Sequence, residues 1–165
     1  MKIQFVTLAA AMALTLSTPA LIQAHSGATG VVKERMEAMK EMGKSIKAIA
    51  QMVTGKSPFV ADGVKAKARL IAGHAGKKIT MLFPEGSNQH PSEASAEIWT
   101  DWKRFSELAI DLETTASGLI DAADQGQESS RAAFGKVAAS CKACHSDFRI
   151  SRKRLENSLL QRSYH

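Results

Sequence analysis

Between Gly30 and Thr54 the residues Val32, Met36, Met39, Gly43, Ile46, Ala50 and Val53 recur at alternating spacings of four and three. A chain with that period buries the stripe only as a helix laid against other helices, because a strand would send successive members to both faces. Lys33, Glu34, Glu37, Lys40, Glu41, Lys44 and Lys47 fill much of the remaining surface, and Gly55 and Pro58 end the segment. A second helical segment is expected from Ala61 to Phe83 on the track Val64, Ala68, Ile71, Ala75 and Ile79. Pro84-Glu85-Gly86-Ser87-Asn88 then reads as a loop that extends to Pro91. Ser92 is the expected N-cap of a third helix, with Glu93 opening an acidic first turn that suits the helix dipole. That helix runs to about Asp124 and carries Ile98, Trp102, Phe105, Leu108, Leu112, Leu119 and Ile120. After the turn Gln125-Gly126-Gln127, a fourth helix is expected from Glu128 to beyond Phe148. No strand-like alternation, internal repeat or low-complexity tract interrupts the pattern. Helices of 20 to 30 residues span about 30–45 Å, and four of them with short connections fold as an all-α, antiparallel four-helix bundle.

Composition narrows the class further. A hydrophobic share of 44% in 165 residues supports one cored domain. The net charge of +6 is spread along the chain, and with only 5% aromatic residues there is no basic patch with stacking partners. A nucleic-acid partner is therefore not expected. Residues 1–24 have the organisation of a cleaved signal peptide: Lys2, an apolar run from Phe5 to Leu16, the helix breaker Pro19, and Ala24 at the cut. The run falls short of the ~20 apolar residues a membrane-spanning helix needs, and no later segment is apolar enough for stable membrane insertion. The domain is then 25–165, exported to a bacterial periplasm. In an oxidising compartment Cys141 and Cys144 are expected to be bridged, metallated or covalently modified.

Those two cysteines belong to Cys141-Lys142-Ala143-Cys144-His145, the C-x-x-C-H signature of covalent haem c attachment. On a helix, positions i, i+3 and i+4 share a face. Both thiols can add to the two vinyl groups on one porphyrin edge while the His145 imidazole reaches the iron as proximal ligand. The small residues Gly135, Ala138, Ala139 and Ala143 let a flat macrocycle approach the backbone. A thioredoxin-like pair needs a βαβ context, structural zinc needs four ligands, and a disulfide is strained across two residues of regular helix. One motif and two cysteines imply one haem.

The combination resembles the cytochrome c-prime (cytochrome c') family, exported four-helix-bundle monohaem proteins with this motif on the last helix. The resemblance spans the mature chain. It is carried by Arg131-Ala132-Ala133-Phe134-Gly135 through the motif to Phe148-Arg149, by Glu97-Ile98-Trp99, and by Lys33-Glu34-Arg35 with Met39 and Met42. In the family, the residue four after the arginine faces the distal side of the haem. An apolar side chain there leaves the iron five-coordinate and open to nitric oxide or carbon monoxide. A methionine, as in the low-spin cytochrome c-556 branch, ligates it. Here that residue is Met39, so the resemblance implies His145 and Met39 as axial ligands. It also implies that Arg35 hydrogen-bonds a haem propionate, that Trp99 lies beside the haem, and that Arg149 is the basic residue near the proximal imidazole.

Read without the family, each of these has a plainer alternative. Met36, Met39 and Met42 can all be core filler, Arg35 an exposed helix arginine, and Trp99 ordinary bundle core. His74 and His90 read as solvated surface histidines, and His25 would become the new N-terminus. The function expected is electron transfer through a six-coordinate low-spin haem to periplasmic redox partner proteins, with no catalytic acid–base pair legible. Gas binding with a displaceable Met39 is the alternative, and thiol oxidoreductase chemistry requires that no haem attach. Monomer and homodimer both fit the charged first helix.

Overall fold

Helix α1 covers Gly30–Val53, but its buried line is Arg35, Ala38, Met42, Ser45, Ile49 and Val53. Up to Ile49 that line lies one position from the apolar stripe, and the two meet at Val53. The helix rotates because Arg35 and Ser45, polar in sequence, are almost fully buried, while Met36 is 37% exposed. Met39 and Ile46 form a partly buried flank against the core. These features belong to a computed structural model that describes residues 27–150. The signal peptide assigned to 1–24, His25 and the basic residues Arg152, Lys153 and Arg154 lie outside the described residues.

The second helical segment is divided. Helix α2 spans Ala61–His74 and α3 spans Gly76–Thr80, with Ala75 in an extended conformation between them. The apolar track Val64, Ala68, Ile71, Ala75 and Ile79 stays buried across the break. Gly76 adopts φ +57, and a Cβ there would lie 1.9 Å from Glu113 Oε2. The Glu113 carboxylate could swing aside, so the lasting penalty of Gly76→Ala is the left-handed backbone, about 1–2 kcal/mol. Equilibrium unfolding of the holoprotein is expected to show that loss as a lower denaturant midpoint at unchanged slope.

The third segment also differs from expectation. Residues 92–96 are not helical, so Ser92 is not an N-cap. Helix α4 is a single turn, Glu97–Thr100, and α5 runs Trp102–Ala123 behind an N-cap at Asp101, whose carboxylate accepts from Arg104 N. The break turns Trp102 outward to 41% exposure, whereas Ile98, Phe105, Leu108 and Leu119 are buried as expected. Helix α6 spans Gln127–Phe148 and stops there, because Arg149 is extended instead of continuing the helix. Among the described residues the only strand-like pairing is an antiparallel bridge between Ala94 and Arg149.

Cross-helix bonds give the topology. Gln127 Nε2 and Arg131 Nε, at the start of α6, donate to Met52 O (3.1 Å) and Val53 O (2.8 Å) at the end of α1. These bonds satisfy carbonyls that a helix C-terminus leaves unpaired. Lys65 near the start of α2 pairs with Asp124 just past α5 at 2.7 Å. His74 at the end of α2 meets Glu41 on α1 at 2.9 Å, a bridging role instead of simple solvation. Arg104 and Asp147 join the opposite ends of α5 and α6. The long elements thus alternate up and down as an antiparallel four-helix bundle. Ile49, Ile71, Ile98 and Leu119 are fully buried at its centre, each stabilising by about 1.5–3 kcal/mol. Phe83, Phe105 and Phe148 close one end, with ring centroids 4.9 and 5.4 Å apart in edge-to-face geometry.

Candidate metal centre

Helix α6 carries Cys141, Cys144 and His145 within little more than one turn, near the end that the aromatic rings close. Both thiols are free and half-buried. Burial raises the pKa of Cys141. Cys144 is pushed up to about 11, by burial first and then by Cys141 and Asp147, so both are neutral thiols. His145 is partly open to solvent, yet dehydration of the ring and then the Arg149 charge lower its pKa, with Glu93 opposing. A neutral imidazole is the metal-ligating form. Ser140, next to Cys141, is buried and bonds Asp111 and Thr115 of α5, which fixes the face that the motif presents.

The three donors share a helix face but do not converge: among the described residues no group of three His, Cys, Asp or Glu side chains could hold a bare metal ion. Such a set suits a wide, flat group fastened at two points along its edge, with the imidazole beneath it. A haem also fits the exposed small residues of α6. Ala132, Gly135, Ala138 and Ala139 leave low backbone relief, and a Cβ at Gly135 would meet nothing within 4 Å. The partly buried apolar side chains Met39, Ile46, Phe134, Ala143 and Cys144 border the core on α1 and α6.

Of the three candidate methionines, the structure separates one from the others. Met36 points outward and Met42 is 6% exposed within the core cluster, whereas Met39 is intermediate. Arg35, one turn before Met39, is not an exposed arginine. It is buried, and its guanidinium donates to Leu82 O (3.3 Å), to both Ser87 Oγ (3.0 Å) and Ser87 O, and to Ser92 Oγ (2.6 Å). It also lies 4.6 Å from the centroid of the Phe83 ring. Every one of these acceptors is uncharged, so among the described residues this buried cation has no hydrogen-bonded anion. That is an environment in which a carboxylate of the bound group fits. Trp99 is partly buried, packs against the core, and donates from Nε1 to Phe83 O at 3.0 Å.

Arg149 leaves the helix one turn after His145 and pairs with Glu93, at 2.7 Å from Nε and 2.5 Å from Nη2 to Oε2. Sequence reasoning missed this pair. Glu93 reads as a helix-opening acid, and its true partner is 56 residues away. Ser87 and Ser92 were missed for the same reason, since a loop serine gives no signal of a buried arginine.

Comparison with known proteins identifies the family. The family profile described as Cytochrome C' matches residues 30–149. The cytochrome c' of Rhodopseudomonas palustris is 34% identical over 128 residues, covering 75% of this chain and 84% of that protein. A cytochrome c-556 of Agrobacterium tumefaciens is 32% identical over 123 residues, covering 74% and 99%. Among solved structures, cytochrome c' from Rhodopseudomonas palustris superposes with a TM-score of 0.70 at 32% identity over 76% of this chain and 99% of that one. A nitric oxide complex of a mutant cytochrome c' from Alcaligenes xylosoxidans gives 0.65 at 30% identity, over 73% and 94%. With the fold, the last-helix motif and these matches in agreement, the chain belongs to the cytochrome c' family of haem c proteins.

Proposed function

We propose that this protein is an exported electron carrier in which Cys141 and Cys144 hold the haem by thioether bonds, and His145 and Met39 ligate its iron. The bound haem supplies a one-electron couple whose potential a thioether ligand raises. The chain's own part is to keep two ligands in place in both oxidation states, so that little rearranges when the electron moves. The observation that carries the reading is the graded burial of the three methionines. Met42 is consumed by the core, Met36 faces outward, and Met39 is left at the margin of the core on a helix that packs against α6. Ser140, held by α5, fixes the rotation of α6 beneath the motif. Arg35 is assigned to a haem propionate, because its other acceptors are neutral, and Trp99 to packing beside the haem. No helix among the described residues is long and apolar enough to cross a membrane. That accords with a periplasmic protein meeting redox partner proteins by collision, as a monomer or a homodimer.

A second reading, binding of small gases at a displaceable sixth position, is favoured by the nitric oxide complex of the Alcaligenes xylosoxidans relative. Optical spectra of periplasm-expressed protein decide between them. The electron-carrier reading expects low-spin ferric and ferrous spectra, a ferric methionine–iron charge-transfer band, and no change on adding carbon monoxide. A high-spin spectrum, or rapid carbon monoxide binding by the reduced form, would transfer the protein to the gas-binding class.

A further inference from the structure

We propose that Glu93 is a positioning residue for the proximal side of the haem, holding Arg149 in an opposed-charge pair in which each charge offsets the other's effect on the reduction potential. This rests on the His145 assignment and is independent of Met39. The geometry is specific. Arg149 N closes the last turn of α6 on His145 O at 3.2 Å, so the guanidinium begins one turn from the imidazole-bearing residue. Ser95 N donates to Phe148 O at 2.9 Å and Ile150 N to Glu93 O at 2.8 Å, which locks the segment 93–95 antiparallel to 148–150. Glu93 Oε2 then accepts from Nε of Arg149 and forms an ion pair with Nη2. Ser92, the neighbouring residue, is clamped from the other side by Arg35. The segment that carries Glu93 is therefore held by Arg35 of α1 and by the chain just past α6, and its carboxylate in turn holds the arginine.

Reduction of the iron adds one electron and removes one unit of positive charge. A carboxylate beside the proximal ligand favours the oxidised form and a guanidinium the reduced form. The pair cancels only while Glu93 is present and Arg149 is held against it. At 26% and 49% side-chain exposure the two charges are partly screened, so their separate effects should shrink as ionic strength rises. The charges of Asp147 and Arg104, also near the motif, pair with each other at 3.4 Å and are unchanged by these substitutions.

The test is a spectroelectrochemical titration of holoprotein at low and high salt for wild type, Glu93→Gln, Arg149→Gln and the double variant. The potential is expected to rise in Glu93→Gln, fall in Arg149→Gln, and return close to wild type when both are replaced, with the single shifts reduced at high salt. Glu93→Asp, which keeps the charge, should stay near wild type. A purely structural pair would not move the potential in opposite directions for its two members. Wild-type histidine ligation with both single variants unmoved, or moved the same way, overturns the proposal alone. A wild-type spectrum without histidine ligation overturns the functional reading as well. If Arg149→Gln does not accumulate as holoprotein, the sign of the Glu93→Gln shift decides.

Discussion

Replacement of Met39 by leucine is expected to convert a ferrous protein indifferent to carbon monoxide into one that binds it readily, and to turn the resting spectrum high-spin. Leucine has nearly the volume of methionine, so the packing cost should stay below about 1.5 kcal/mol, and the thioether sulfur is the only chemistry removed. Apparent gas affinity scales with the fraction of molecules whose sixth position is open. For a thioether bound about 99% of the time, its removal raises that affinity about 100-fold. The same change at Met36, 37% exposed, and at Met42, 6% exposed in the core, should leave the spectrum as it was. If Met42→Leu opens the iron and Met39→Leu does not, the ligand assignment moves to Met42. If none of the three changes the spectrum, methionine ligation is wrong.

Replacement of Arg35, which is buried, by alanine is expected to be strongly destabilising. The guanidinium supplies four hydrogen bonds to Leu82, Ser87 and Ser92 and covers the Phe83 ring. Burial lowers its pKa, but an arginine remains charged in a protein interior. Its loss leaves the Leu82 and Ser87 carbonyls and the Ser87 hydroxyl without this donor, whereas Ser92 Oγ still accepts from Ala94 N. Each buried group left unsatisfied costs about 1–3 kcal/mol. The loop can partly open to water, so a net loss of about 3–5 kcal/mol in unfolding free energy is the expected outcome. Lysine keeps the charge but not the fork, and should recover only a minority of that loss. Chemical denaturation of holoprotein monitored by far-UV circular dichroism gives the number. An Arg35→Ala midpoint within error of wild type would mean that the loop is held by Phe83 and Trp99 without the arginine. A loosened loop should also be more open to proteolysis between Pro84 and Pro91.

The sequence carried the helical identity of the bundle because that signal is local. The track Val64 to Ile79 and the residues Phe105, Leu108 and Leu119 are buried as their spacing predicts, with Leu112 partly buried, since a 3.6-residue period requires no knowledge of the partner. The C-x-x-C-H motif was legible for the same reason, its three donors lying within little more than one turn. Element boundaries were less legible. The break at Ala75 and Gly76 and the restart at Asp101 depend on what each segment meets across the bundle, Glu113 among the neighbours of Gly76.

What only the tertiary structure decided is the assignment of polar and ambiguous side chains. In a helix whose apolar stripe reads Val32, Met36, Met39, Gly43, the buried line runs through Arg35, Ala38 and Met42. It does so because a loop 47 to 57 residues away supplies the acceptors that make a buried arginine affordable. Glu93 and Arg149 each read as an ordinary surface charge until the bridge between Ala94 and Arg149 brings them together. Periodicity reports which faces are apolar, so the sequence by itself determined an all-α bundle and the site of haem attachment. Partnerships between distant residues are settled by packing and by desolvation, and the burial of Arg35 on loop acceptors and the pairing of Glu93 with Arg149 emerge only when the helices are assembled.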